Sequence, residues 1–409
     1  YFSLSCLEAL YGMQKAYLEM CRYMTLPCVQ PSLAIRSGCL MFVLCFLVEI
    51  APSRAAMPEP YAPPALHPDT ALYSDTLALP DTTSNTDWYA LPFVYYTPET
   101  SLGGGVAGAY FFGRNPTRIS SIKSDLSAAL EGEYELSFDS ELYIDNGQYR
   151  LWAAANAART PTSFFGVGPG TSSDARESYT RQMADLQLRG TKRMGPILHL
   201  GLRTRVRHTS IISVADGGLL DTHAVAGARG STVFGMGPML LVDTRSRTYY
   251  PEQGHYISLY ALFHPYVQRA EGSFTRLVAD MRRFILLSED HVLALQGYAE
   301  AVTGAPPFAL LPKLGGSMRM RGYRNARFRD NVTATVQAEW RIPVWWRIKA
   351  AVFGSVGTIA PDFSALARTN PKPAAGLGLR YRLTDSGVHL RADFAISPDG
   401  TGIYLTGSQ

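Results

Sequence analysis

The side chains best suited to chemistry in this chain crowd into one stretch, Leu314 to Asn331, which reads LGGSMRMRGYRNARFRDN. It holds five arginines, Arg319, Arg321, Arg324, Arg327 and Arg329, beside a single aspartate, Asp330. A guanidinium is a planar fork of N–H donors that keeps its charge at physiological pH, so this density suits recognition of carboxylates or other anions. Gly315, Gly316 and Gly322 allow turns and close backbone approach, and Tyr323 adds a ring with a polar tip. By itself such a segment is a solvated loop or an anion site; the elements on either side decide what it does.

Those flanking elements alternate with period two. In 195–208, Leu198, Leu200, Leu202, Thr204 and Val206 share one face while His199, Arg203, Arg205 and Arg207 share the other. After the loop, Val332, Ala334, Val336, Ala338 and Trp340 oppose Thr333, Thr335, Gln337, Glu339 and Arg341. The run 346–357 repeats the arrangement, with Ile348, Ala350, Val352 and Val356 set against Arg347, Lys349, Phe353 and Ser355. About sixteen such segments of ~8–13 residues follow one another from Trp88 to the C-terminus. Strands that cross a bilayer need ~9–11 residues, and bacterial barrels use even strand numbers. The expected fold is all-β, a transmembrane antiparallel barrel of about sixteen strands, with apolar faces on lipid and polar faces inside. Trp88, Tyr95, Tyr96, Phe111, Phe112, Trp345 and Trp346 near strand ends are read as interface aromatics. A secreted sandwich or propeller, its arginines facing water, is the alternative that alternation alone leaves open.

Upstream the composition changes. All five cysteines, Cys6, Cys21, Cys28, Cys39 and Cys45, lie ahead of position 46, within 409 residues of formal charge +4. CLMFVLCFLV is an apolar run of ten residues closed by Glu49 and followed by small residues to Ala56. That pattern suits an export signal, being shorter than the ~20 residues of a spanning helix. Residues 1–56 are therefore expected to be a leader whose part before Met24 precedes the true start. Residues 57–87, with Pro58, Pro60, Pro63, Pro64, Pro68 and Pro80, read as an exposed periplasmic linker, and 88–409 as the barrel.

Several chemistries find no support. The eight histidines lack metal-ligand spacing, so no metal or other cofactor is expected. Gly103-Gly104-Gly105 and Gly166 to Gly170 lack the helix and the lysine-threonine pair of a phosphate loop. No nucleophile elbow accompanies Ser258, Ser288, His255 or His291, so no enzyme activity is assigned and no catalytic residue is named. Basic patches at Arg205, Arg207, Arg276, Arg282 and Arg283 could suit nucleic acid, but an exported protein meets none.

GGSMRMRGYRNARFRD, followed by Glu339-Trp340-Arg341-Ile342-Pro343 and AAVFGSVG, resembles the bacterial surface antigen family of BamA- and TamA-type assembly barrels. WYALP with YYTPET, SFFGVGPGTSSDARESYT, GMGPMLLVDTRSRTYYPEQG, GLGLRYRL and LRADFA resemble further landmarks in order, so the likeness spans roughly 88–409. The resemblance implies that the long loop folds back into the lumen. There Gly315, Gly316, Arg319, Arg321, Gly322, Tyr323, Arg327 and Asp330 would form its motif, against Glu339, Arg341, Phe353, Ser355 and Gly357 of the inner wall.

Three departures from the family qualify this. Where members commonly place an aspartate two residues after the phenylalanine, this chain has Ser355, so Glu339 is expected to supply most of the anchoring charge and the latch to be weaker. Arg341 and Asp330 could rearrange around it. Ahead of the barrel stands the proline-rich stretch rather than client-receiving POTRA modules, and GIYLTGSQ lacks the usual closing aromatic. The resemblance implies a monomeric outer-membrane protein in contact with the lipid bilayer. It would take part in outer-membrane protein assembly or translocation, with an unfolded client or a periplasmic partner. A passive pore or surface-exposed structural barrel remains the alternative.

Overall fold

The computed structural model describes residues 86–97, 101–113, 115, 117–268, 272–384 and 387–407. The expected leader and signal peptide, and the expected linker up to residue 85, lie outside the described residues.

The chain runs as β1 (Asp87–Thr97), β2 (Ser101–Phe112), β3 (Ser120–Ala129), β4 (Tyr134–Ile144), β5 (Tyr149–Phe164) and β6 (Glu177–Arg193). It continues through β7 (Leu198–Val214), β8 (Ser231–Asp243), β9 (Gly254–Gln268), β10 (Phe274–Ser288) and β11 (His291–Gly304). A long connection then contains β12 (Lys313–Leu314) and β13 (Phe328–Arg329). Last come β14 (Val332–Trp345), β15 (Ile348–Ala360), the short helix α1 (Phe363–Leu366), β16 (Lys372–Arg382), β17 (His389–Ser397) and β18 (Gly400–Gly407).

Sixteen of these strands form one antiparallel barrel sheet in chain order, with β11 next to β14; β12 and β13 pair only with each other. The expected strand number is therefore met by the long elements, and the extra pair belongs to the loop. Local sequence explains the tight hairpins. Between β4 and β5, Asp145 and Asn146 both take φ of 51° ahead of Gly147 at 79°, a left-handed turn these residue types tolerate.

Alternation sets the two faces. In β7, Leu200, Leu202 and Val206 are exposed on the outside while His199 and Arg207 are buried inside. In β15, Val352 and Val356 face out and Phe353 and Ser355 face in. An apolar outer wall around an ionic interior is the arrangement a bilayer stabilises, and water would not. Trp88, Trp345 and Trp346 are exposed at strand ends, where indoles favour the bilayer interface. Phe111 is a correction to the interface reading: it is wholly buried, with its ring 5.2 Å from that of Tyr249 in edge-on contact. It shares the inward parity of Ala109, and the β8–β9 connection brings Tyr249 to meet it.

That connection covers the barrel end opposite the long loop. Tyr249 Oη donates to Ser121 Oγ (2.6 Å), Arg118 Nη1 to Arg245 O (2.8 Å) and Thr248 N to Thr117 O (3.1 Å). Deeper inside, Arg150 bridges Glu141 (2.7 Å) and Asp243 (2.9 Å), and Arg205 pairs with Asp185 (2.8 Å). The lumen is thus a charged, hydrogen-bonded interior on which the long loop rests.

Candidate functional site

Residues 305–331 turn inward because their apolar side chains find two separate surfaces there. Phe308, Leu310 and Leu311 pack with Phe164, Tyr179, Val233 and Val302 from one part of the wall. Leu314, Met320, Tyr323 and Phe328 pack with Ile359 and Ala374 from another. The ribbon pairing Lys313 with Arg329 and Leu314 with Phe328 closes the loop's neck. Met320 and Ala326 take φ of 57° and 55°, a region that costs non-glycine residues energy unless the surroundings hold them. Met320 is fully buried and Ala326 nearly so, which supplies that hold.

At the tip, Gly322 has φ of 102°, and a Cβ there would lie 2.9 Å from the Ile396 carbonyl carbon. Its N–H donates to Tyr404 Oη (2.9 Å) and its carbonyl accepts from Ser397 Oγ (3.0 Å). The tip therefore lies against β17 and β18 at backbone distance, which only glycine permits. Tyr323 Oη donates to Pro373 O (3.0 Å), and burial pushes its pKa up to about 12, so it acts as a neutral donor.

Arg321 occupies the centre. Its Nη1 donates to Asp393 Oδ2 (2.7 Å) and to Glu339 Oε2 (3.3 Å), and its guanidinium carbon lies 3.4 Å from the centroid of the Phe353 ring. Glu339 also accepts from Arg380 (2.8 Å) and Arg341 (3.1 Å), while Asp393 also accepts from Arg380 and, at 2.8 Å, from Arg391. Two carboxylates thus serve four arginines from the loop and three strands. Burial outweighs the two carboxylates and holds the Arg321 pKa below its ordinary value. The side chain is 3% exposed, in keeping with a guanidinium removed from water but not from charge.

Cross-strand glycines make room for this stack. Phe353 pairs with Gly376 of β16, and a Cβ on Gly376 would run into the Phe353 ring. Gly378 faces Asp393 and leaves space for the Asp393–Arg380 pair in the same way. Glycine, ring and guanidinium are layered from the wall inward.

Arg327 works at the rim. Its Nε donates to Asp399 (2.8 Å) in the β17–β18 hairpin, and its Nη2 to Thr171 O (2.9 Å) between β5 and β6. One side chain thereby ties connections from distant parts of the strand order. Arg319 lies over the Tyr298 ring at 3.6 Å. Asp330 accepts from Asn331 N (2.8 Å), and burial raises its pKa.

With this geometry in place, residues 111–404 match the model of the Omp85 superfamily domain. The chain belongs to the Omp85 superfamily. No curated protein matches it. Among solved structures it is similar to BamA from Haemophilus ducreyi lacking POTRA domains 1-3, at 13% identity and a TM-score of 0.51, covering 80% of this chain and 70% of that one. It is also similar to CdiB from Escherichia coli, at 12% identity and a TM-score of 0.51, covering 80% of this chain and 63% of that one. At these identities the likeness establishes the shared barrel fold.

In this Omp85 barrel, Gly322, Tyr323 and Arg321 meet the wall, and Glu339, Arg341 and Phe353 meet Arg321 or one another as described. A Cβ on Gly357 would lie 2.8 Å from Leu314 and 2.9 Å from Met320, so its bareness accommodates the loop. Two expectations are corrected. The second anchoring carboxylate is Asp393 on β17, which makes up for the uncharged Ser355, and Asp330 is engaged by Asn331 at the loop's exit. Asp393, Arg380, Arg391, Ser397 and Tyr404 were missed by sequence reasoning. The signal for Asp393, Arg380 and Arg391 was the inward parity of charged residues in LRADFA and GLGLRYRL, but parity names a face and not a partner across the lumen.

Proposed function

We propose that this protein is an outer-membrane barrel that takes part in inserting or translocating other proteins, with Arg321 latching the inward loop during that work. The observation that supports this most directly is the seating of Arg321 between Asp393, Glu339 and the Phe353 ring inside an Omp85 barrel. The resemblance of the loop and strand motifs to assembly barrels supports a client that is itself a protein. The site of action on this reading is the seam between β1 and β18, the two ends of the strand order.

The latch suits that role because it fastens the loop to β17 and β18 through Asp393, Ser397 and Tyr404. Strands at the seam are thereby held from inside while their outer edges face the bilayer. A client strand arriving there would be recognised through main-chain hydrogen bonds, which need no particular sequence. A passive pore has less support. The cavity beside the loop tip holds about 110 Å³, a few water volumes, and is lined by Arg319, Arg321 and Arg341.

Depletion of the protein followed by quantitative proteomics of the outer membrane tests the proposal. A fall in several other outer-membrane proteins supports it. An unchanged proteome, together with steady conductance of the purified barrel in planar bilayers, supports the pore.

A further inference from the structure

A second lumenal cavity shares Arg319 with the one beside Arg321. Beneath the loop's neck is a cavity of about 180 Å³, bordered by Arg205 and Arg207 of β7, Arg276 of β10, Glu300 of β11, and Lys313 and Arg319 of the loop. Its charges do not balance. Arg276 is paired with Glu300, and Arg205 with Asp185. Arg207, 7% exposed, has no carboxylate partner among the described residues; its Nε donates to Thr209 Oγ1 (3.3 Å) and its Nη2 points at the Met183 sulfur. Arg319 lies over the Tyr298 ring, and neither it nor Lys313 has a direct ion pair among the described residues.

Burying like charges together without an anion is costly, because their repulsion is poorly screened away from water. Lys313 registers that repulsion. Burial first, and then Arg329, Arg181, Arg207 and Arg205, hold its pKa well below the ordinary lysine value. Structural ion pairing accounts for Arg205 and Arg276 and leaves Arg207, Lys313 and Arg319 converging on one space. That space equals roughly six water volumes, room for a tetrahedral oxyanion with some water. Forked guanidiniums and an ammonium lining one space match three or four acceptor oxygens.

We propose that this cavity is a binding site for a phosphate-class oxyanion, held by Arg207, Lys313 and Arg319 with Arg205 and Arg276 behind them. The bound anion fastens the neck of the loop to β7 and β10, independently of the Arg321 cluster. Free inorganic phosphate and the phosphomonoester of a lipid headgroup share this chemistry.

The test uses the whole protein in detergent or lipid nanodiscs, titrated with inorganic phosphate at ionic strength fixed by chloride and followed by phosphorus NMR line width. Saturable binding of about one phosphate per barrel, in the millimolar range or tighter, is expected. Arg207→Gln and Lys313→Met should each weaken it roughly tenfold or more, the effect of one lost charge-assisted contact. Arg189→Gln, which removes the same charge from the Arg189–Glu141 pair elsewhere in the lumen, should leave it unchanged. Displacement of bound phosphate by phosphatidic acid in phosphatidylcholine nanodiscs assigns the site to a lipid headgroup, and lack of displacement assigns it to free phosphate. Non-saturable line broadening in the unaltered protein overturns the proposal, as does equal weakening by Arg189→Gln. The wild-type titration decides the matter even if a variant fails to fold.

Discussion

Arg321 Nη1 lies 2.7 Å from Asp393 Oδ2, joining the tip of the lumenal loop to β17, 72 residues away in sequence. The same guanidinium is stacked on Phe353 and shares Glu339 with two other arginines. Its position is therefore set by a ring and two carboxylates at once, which makes each of them a separate handle on the loop.

Removing the guanidinium should release the tip and leave Asp393 and Glu339 to Arg341, Arg380 and Arg391 alone. Arg321→Ala is expected to cost about 3–5 kcal/mol of folded-state stability, the range for breaking a buried ion pair. Limited proteolysis should then cut within 317–327, and the heat-modifiable gel shift should weaken. An unaltered protease pattern would falsify the latch.

Asp393→Asn separates charge from shape. The amide keeps an acceptor for Arg321 but leaves four arginines to one carboxylate, so destabilisation should be smaller than for Arg321→Ala, about 1–3 kcal/mol. Urea unfolding in lipid vesicles measures it. A larger loss than that of Arg321→Ala would show that Asp393 chiefly serves Arg380 and Arg391.

Gly376 should tolerate no side chain. Gly376→Val puts branched carbon where the Phe353 ring lies, displacing the ring from beneath Arg321. Loss of protection at the loop in hydrogen exchange is expected together with a destabilisation of about 1–3 kcal/mol, typical of overpacking. Gly378→Ala should act through the neighbouring Asp393–Arg380 pair instead.

At the rim, Arg327→Gln removes the tie between Asp399 and Thr171 while leaving the Arg321 cluster intact. Faster exchange is expected in 165–176 and 398–399, with little change at 336–341. Uniform loosening of both regions would mean that rim and centre open as one unit.

Asp330 gives a pH signature. Burial raises its folded-state pKa above the ordinary aspartate value, so the folded loop binds the proton more readily than the unfolded chain does. Its contribution to stability is then most favourable below the ordinary aspartate pKa, and declines as pH rises through the raised value. Asp330→Asn abolishes that decline. The stability difference favouring the variant should be largest at neutral pH and shrink on acidification; a difference independent of pH would refute the assignment.

Much of the barrel was legible in the chain because a strand's two faces are written at alternate positions. His199, Arg203, Arg205 and Arg207 could only share a side, and the number and length of the segments favoured a lipid-facing barrel over a sandwich. The inward loop was legible through its resemblance to a family, and its glycines fell where the backbone makes positive-φ turns or close approaches. Ser355 shows the limit. Reading one missing charge on β15 suggested a weak anchor, because nothing in sequence says that β17 stands opposite and offers Asp393.

Local periodicity and turn chemistry placed the two faces of the strands and the points where the chain leaves the wall. That Arg321 meets Asp393, that Arg327 ties the β5–β6 connection to the β17–β18 hairpin, and that Arg207, Lys313 and Arg319 line one cavity emerges with the folded barrel alone. Curvature of the sheet accounts for the difference. Bending sixteen strands into a ring sets side chains from distant segments face to face, and the distances between those charges exist only once the ring has formed.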